Sequence, residues 1–236
     1  MSTESQTSPL AAAPVPGRQL PKGRHGLSRE FIVRNQRERM LDAMANVVAE
    51  KGYAATRVAD VTEYAGVSRK TFYEQFTDKE DCFLAAFDTI AGILMQKLGE
   101  RLAAAEDTWE SKVHALLGEF LAFCAAEPAF AKMCIVEVLS SGPAGLEKRD
   151  EAMARFFPII DALPRQDLGS PSWLAAITPN FIVGGIYEVV YGAIRRGEVE
   201  TLPDLEDELT SLVFRAYLHP REWERGGTRK RKAAKS

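Results

Sequence analysis

The chain has 236 residues, of which 46% are hydrophobic and 27% charged, with a formal net charge of −3. That length holds one large or two small packed domains, and the composition excludes a largely disordered or fibrous chain. The net charge is unevenly spread: residues 18–80 carry twelve Lys and Arg against nine Asp and Glu, residues 81–220 carry eleven against twenty-one, and residues 221–236 carry seven against two. A basic front and tail flanking an acidic body predict a polyanion-facing module joined to a part with another task.

Residues 1–28, rich in Ser, Pro, Ala and Gly, read as a flexible basic lead, with Arg18, Lys22 and Arg24 near its end. The lead has no apolar stretch long enough for a signal peptide, and the chain nowhere shows the roughly 18 uninterrupted apolar residues of a membrane span, so a cytoplasmic protein without a membrane partner is expected. From Asn35, the apolar positions Met40, Leu41, Met44, Val47 and Val48 follow the rhythm of an amphipathic helix that stops at Gly52. Thr56 is placed to cap a second helix carrying Val58, Val61 and Ala65.

The stretch "AGVSRKTFYEQF" then turns the chain at Gly66 and offers Ser68 as N-cap of a third helix, expected over about Arg69 to Phe76. Phe72 and Phe76, four apart, share the face that packs inward, which leaves Arg69, Lys70 and Tyr73 on the other. A helix fixed by its aromatic side with basic groups in its first turn suits a DNA major groove about 12 Å wide. Arg69 and Lys70 are candidates for guanine edges or phosphates, Thr71 for a thymine methyl or a phosphate, and Tyr73 for a phosphate oxygen. Asp78 caps a fourth helix whose first turn holds Lys79, where the dipole favours a phosphate. A helical hairpin with a solvated charged face fits the same spacing.

Over Gly52 to Phe83, with the core pattern intact at Gly66, Val67, Ser68, Thr71, Tyr73, Phe76, Lys79 and Glu80, the sequence resembles the TetR family of transcriptional regulators. The resemblance implies a helix-turn-helix whose third helix enters the major groove, with DNA contacts from Thr56, Arg57, Ser68, Arg69, Lys70, Thr71, Tyr73 and Lys79. It fades beyond about residue 90. The long lead departs from the core motif, and an arm reaching a minor groove through Arg18, Lys22 or Arg24 stands beside a plain tail as its reading.

After Asp78 every segment reads as helix: a long one from Lys79, then "WESKVHALLGEFLAFCAAE", "PAFAKMCIVEVLSSG" from Pro128 to Gly142, "PAGLEKRDEAMARFFPIIDAL", a segment that Pro179 is expected to break or kink, and "LPDLEDELTSLVFRAYL". An all-α architecture of about nine helices follows. Its expected divisions are a helix-turn-helix DNA-binding domain over 29–78, a helical effector-binding and dimerisation domain over 79–219, and a basic tail over 220–236.

Within the body, Glu137 lies in the apolar run "MCIVEVL", where its carboxylate needs a partner: Arg149 or Arg155 of the next helix, or an effector for which it is the polar anchor. Phe120, Phe123, Cys124, Met133, Phe156, Phe157, Trp173 and Phe181 supply soft and aromatic surface for an apolar effector pocket or a solid core. The family resemblance implies the pocket, since related regulators bind small, often hydrophobic molecules between these helices. Gly184, Gly185, Tyr187 and Tyr191, with Leu212 and Tyr217 on the last helix, are candidates for a homodimer interface.

Cys82, Cys124 and Cys134 have no metal-ligand spacing and read as reduced core thiols. Neither a hydrolase nor a nucleotide-binding motif occurs, and His25, His114 and His219 lie far apart, so no enzyme, cofactor or metal is expected. The combined expectation is a dimeric regulator, most simply a repressor, that binds a palindromic operator in double-stranded DNA and is released by a small hydrophobic effector. A constitutive DNA binder whose body only dimerises, or an activator, are the alternatives.

Overall fold

A computed structural model describes residues 29–168 and 175–217, all of whose regular structure is helical. Arg18, Lys22, Arg24, Trp173 and the tail over 220–236 lie outside the described residues. The nine α-helices among those described are α1 (Arg29–Lys51), α2 (Val58–Ala65), α3 (Arg69–Tyr73), α4 (Lys79–Ala104), α5 (Trp109–Ala126), α6 (Pro128–Ala131), α7 (Pro143–Leu168), α8 (Thr178–Arg196) and α9 (Glu206–Tyr217). The chain forms two compact units. Among the described residues, one joins 29–96 with 126–151, and the other joins 97–125 with 152–168 and 175–217.

In the first unit, α1 buries Met40, Leu41, Met44, Val47 and Val48 together with Ala43 and Ala45, so its second half is enclosed on nearly all sides. It ends where Gly52 adopts φ +80°, a left-handed conformation that a Cβ would strain. The start of α2 differs from expectation. Arg57 occupies the N-cap position, and its backbone N–H donates to the Asp60 carboxylate at 2.8 Å. Thr56 instead turns its hydroxyl back to the Gly52 carbonyl at 2.8 Å. The far end of α2 closes at Gly66, φ +62°, and the Arg39 guanidinium donates to the carbonyls of Ala65 and Gly66 there.

Helix α3 is shorter than expected, ending at Tyr73, and its chain continues to Phe76 in a turn closed by Phe76 N–H on Phe72 O at 2.9 Å. Five residues cannot hold a helix by backbone bonds alone; tertiary burial of Phe72 and Phe76 does it. Helix α4 is long and apolar enough to cross a membrane by length and composition, but its first half buries Cys82, Phe83, Ala86, Phe87 and Ile90 in this unit's core. The run from Pro128 to Gly142 is not one helix: after α6 it passes through a π-helical turn at Lys132–Val136 and a 3-10 turn at Glu137–Ser140.

In the second unit, Trp109 and Val113 at the start of α5 are buried, and the Trp109 ring stands edge-on to Phe214 of α9 with centroids 4.9 Å apart. The Tyr217 hydroxyl donates to the Ile160 carbonyl of α7 at 3.1 Å. Glu119 on α5 accepts the Arg101 guanidinium at 2.8 Å and stands 3.8 Å from the Lys97 ammonium. Pro179 does not break a helix: it sits in the first turn of α8, where a missing N–H costs nothing, and α8 runs on to a left-handed Gly197.

Candidate nucleic-acid interface

Ser68 initiates α3 by accepting the Thr71 backbone N–H at 3.0 Å, which fixes the first turn and therefore where its side chains stand. Phe72 is 0% exposed and touches Phe76 with ring centroids 5.4 Å apart, so the helix can rotate little about its axis. The adjacent Tyr73 is 58% exposed with its ring edge-on to Phe72, leaving the hydroxyl in solvent. Ser68, Arg69 and Lys70 are exposed and Thr71 half-buried. The Lys70 ammonium lies 4.0 Å from the Glu74 carboxylate, a solvated pair of little strength that a phosphate can replace. Five of the eight predicted residues thus gather on the first turns of α3, and Arg57 stands exposed at the head of α2.

The other two behave differently. Thr56 is 2% exposed with its hydroxyl committed inward, so its side chain does not stand on this surface. The Lys79 ammonium donates to the Tyr53 carbonyl at 2.8 Å and lies over the Tyr53 ring at 4.0 Å, and partial burial pushes its pKa down. It braces the α1–α2 turn rather than reaching out.

Several supports of this surface carry no motif. Arg37 lies over the Phe76 ring at 4.5 Å, Gln75 Nε2 donates to the Val33 carbonyl at 3.1 Å, and Arg39 closes the turn between α2 and α3. Lys51 joins Asp60 at 2.8 Å and holds that carboxyl below its usual range, tying the end of α1 to the first turn of α2. By helical spacing Arg37 stands in line with the apolar stripe of Met40, Leu41 and Met44 and Arg39 off it, but nothing local in the sequence named their partners.

Glu137 requires a correction. Its carboxylate faces neither Arg149 nor Arg155 but accepts the Tyr53 backbone N–H at 2.8 Å, at the turn leading into α2. Met133 is buried in the same unit. The other described pocket candidates belong to the second unit, where Phe123 and Cys124 are buried and Phe120 meets Phe156 with ring centroids 6.4 Å apart. Phe157 is half-buried. Phe181 departs from its expected place: at 77% exposure it lines no interior.

Ile177 at the N-cap of α8 and Phe181, Gly185 and Val189 on it recur every four residues and all are exposed, as is Leu212 on α9. A Cβ at Gly184 or Gly185 would meet nothing within 4 Å, and Tyr187 and Tyr191 stack with centroids 6.4 Å apart. Tyr217, expected at a dimer interface, is 1% exposed within its own chain and bonded to Ile160, so it is a core residue.

Residues 40–86 match the family model of bacterial regulatory proteins of the tetR family. In sequence, the chain is 24% identical over 131 residues to the fatty acid metabolism regulator protein of Bacillus subtilis (strain 168), covering 56% of this chain and 67% of that protein. It is 32% identical over 63 residues to the HTH-type transcriptional regulator YerO of the same organism, a match spanning 27% of this chain and 22% of that one. Among solved structures, the fatty acid degradation regulator FadR of Bacillus halodurans superposes with a TM-score of 0.69 at 23% identity, over 75% of this chain and 94% of its own. FadR of Bacillus subtilis in complex with stearoyl-CoA does so with 0.67 at 21% identity, over 77% and 98%. With the helix-turn-helix built by α2 and α3 and the match over residues 40–86, this part of the chain carries the N-terminal module of bacterial regulatory proteins of the tetR family.

Proposed function

We propose that this regulator is a repressor that binds a palindromic operator in double-stranded DNA as a homodimer and is released by a long-chain acyl-CoA or a molecule of similar amphipathic chemistry. The supporting observation is the division of labour on α3: fully buried Phe72 locks the helix while Arg69, Lys70 and Tyr73 stand exposed in the residues that follow its Ser68 cap. Arg69 has the fork for a guanine edge, whereas Lys70, the Tyr73 hydroxyl and Arg57 are placed for phosphates. Residues 29–78 are the DNA-contacting part and 79–219 the effector-binding and dimerising part, acting in the cytoplasm.

The exposed apolar row on α8, together with Leu212, supports pairing of two copies, which would set two α3 helices to read half-sites about 34–36 Å apart or a multiple of that. The effector class rests on likeness to the Bacillus subtilis fatty acid regulator, and Phe120, Phe123, Cys124, Phe156 and Phe157 offer the apolar side chains an acyl chain would need. The test is titration of stearoyl-CoA into the protein bound to a fluorescent duplex carrying its selected site. Release that saturates is expected; binding unchanged by stearoyl-CoA, and equally by free stearate, removes the effector class.

A further inference from the structure

The turn between α1 and α2 is short, and its main chain is held from outside. The Tyr53 N–H donates to Glu137 Oε2 at 2.8 Å. Its carbonyl accepts the Lys79 ammonium at 2.8 Å, and its ring is enclosed between that ammonium and Phe83, whose centroid lies 4.8 Å away. One turn earlier, the Lys132 ammonium donates to the Ala49 carbonyl at 2.6 Å, at the C-terminal end of α1 where a cation is favoured. Gly52 fits the same arrangement: a Cβ there would lie 3.3 Å from Glu137 Oε2.

Glu137 and Lys132 come from the π and 3-10 turns at 132–140, more than eighty residues along the chain. A π turn carries one residue more per turn than an α-helix needs, and so sets the rotation of the side chains that follow it. Four residues beyond Tyr53 stands Arg57, exposed at the head of α2. A charge-assisted bond to a backbone N–H is directional, so the Glu137 carboxylate fixes the heading of the chain as it enters α2.

We propose that Glu137, seconded by Lys132, is a positioning residue for DNA binding: it holds the Tyr53 main chain so that Arg57 and the N-terminus of α2 are presented to the phosphate backbone. The proposal rests on the DNA-binding reading above. Glu137 itself touches no nucleotide; it acts through the turn.

The test measures duplex affinity against salt for the parent, Glu137→Ala, Glu137→Gln, Arg57→Ala and the Glu137→Ala/Arg57→Ala double variant. Glutamine keeps a carbonyl acceptor for Tyr53 N–H and should bind within about twofold of the parent, whereas alanine should weaken binding about five- to tenfold. Arg57→Ala and Glu137→Ala should each reduce the salt slope by about one, and the double variant should fall no further than the weaker single variant. A residue that merely stabilised the fold would leave the slope unchanged and add to the Arg57 effect. Should Glu137→Ala not fold, Lys132→Met combined with Arg57→Ala runs the same cycle. Parental affinity in Glu137→Ala, or a double variant that loses the product of both factors, overturns the inference. A parent that does not bind duplex at all defeats the DNA-binding reading instead.

Discussion

Phe72 and Tyr73 are neighbours in sequence with opposite surroundings, so their alanine variants should fail in opposite ways. Phe72 is fully buried, and deleting its ring leaves a cavity beneath a helix of five residues. Phe→Ala in a core costs about 3–5 kcal/mol, which at about 2–4 °C per kcal/mol for a chain of this size lowers Tm by roughly 6–20 °C. Tyr73 is 58% exposed and holds only an edge-on contact with Phe72, with centroids 5.4 Å apart. Losing such a contact costs at most about 0.5–1.5 kcal/mol, or a few degrees. Thermal unfolding followed by circular dichroism, with duplex binding by fluorescence anisotropy at 15 °C where both variants are folded, separates the two. Tyr73→Ala should melt close to the parent yet bind DNA more weakly on every sequence, while Tyr73→Phe isolates the hydroxyl. A Tyr73→Ala variant that melts as low as Phe72→Ala, or binds as tightly as the parent, refutes the assigned faces of α3.

Other consequences are open to direct measurement. Arg39→Ala should free the carbonyls at the end of α2, costing about 1.5–3 kcal/mol for charge-assisted bonds; an unchanged Tm would show that the turn does not depend on that guanidinium. Burial pushes the Cys82 and Cys124 thiols up to about 12 from the ordinary 9.0, so the stability each contributes is whole below pH 9 and is lost as pH rises through 12. Iodoacetamide at pH 8 should therefore leave both unmodified in the native protein and label them after unfolding, as peptide mass mapping would read; rapid native labelling of either contradicts its burial. Phe181→Glu together with Leu212→Glu should convert a dimer to monomer in light scattering with little change in helicity, and a dimer that persists at micromolar concentration moves the interface elsewhere.

The helix-turn-helix was legible because local patterns decide it. The apolar rhythm of α1, the glycine at residue 66, the serine cap at 68 and the opposed faces of Phe72 and Tyr73 each involve residues within four of one another. The structure differs where partners are distant or where two local rules compete. Pro179 breaks helices in their interior but favours their first turn, and which applied depended on where α8 began. Glu137 announced only that it needed a partner, and the nearest arginines were the natural suggestion. Its real partner is a backbone N–H, which every residue but proline carries and no pattern singles out. Tyr217 and Phe181 exchanged places for a similar reason: both are aromatic and both lie on amphipathic helices, but only tertiary packing decides that one is core and the other surface. Lys79 carries the residue type of a phosphate contact, and its inward bond to Tyr53 became visible only with the turn in place.

The most direct measurement is selection of bound sequences from a random duplex pool with the purified chain at a stated salt concentration, followed by sequencing. A palindromic consensus with half-sites about one helical turn or a multiple of it apart is expected, and Arg69→Ala should blur that consensus at one position per half-site. Recovery of no consensus, with only salt-sensitive binding of uniform strength, would contradict sequence reading by α3 and reduce this surface to a nonspecific phosphate contact.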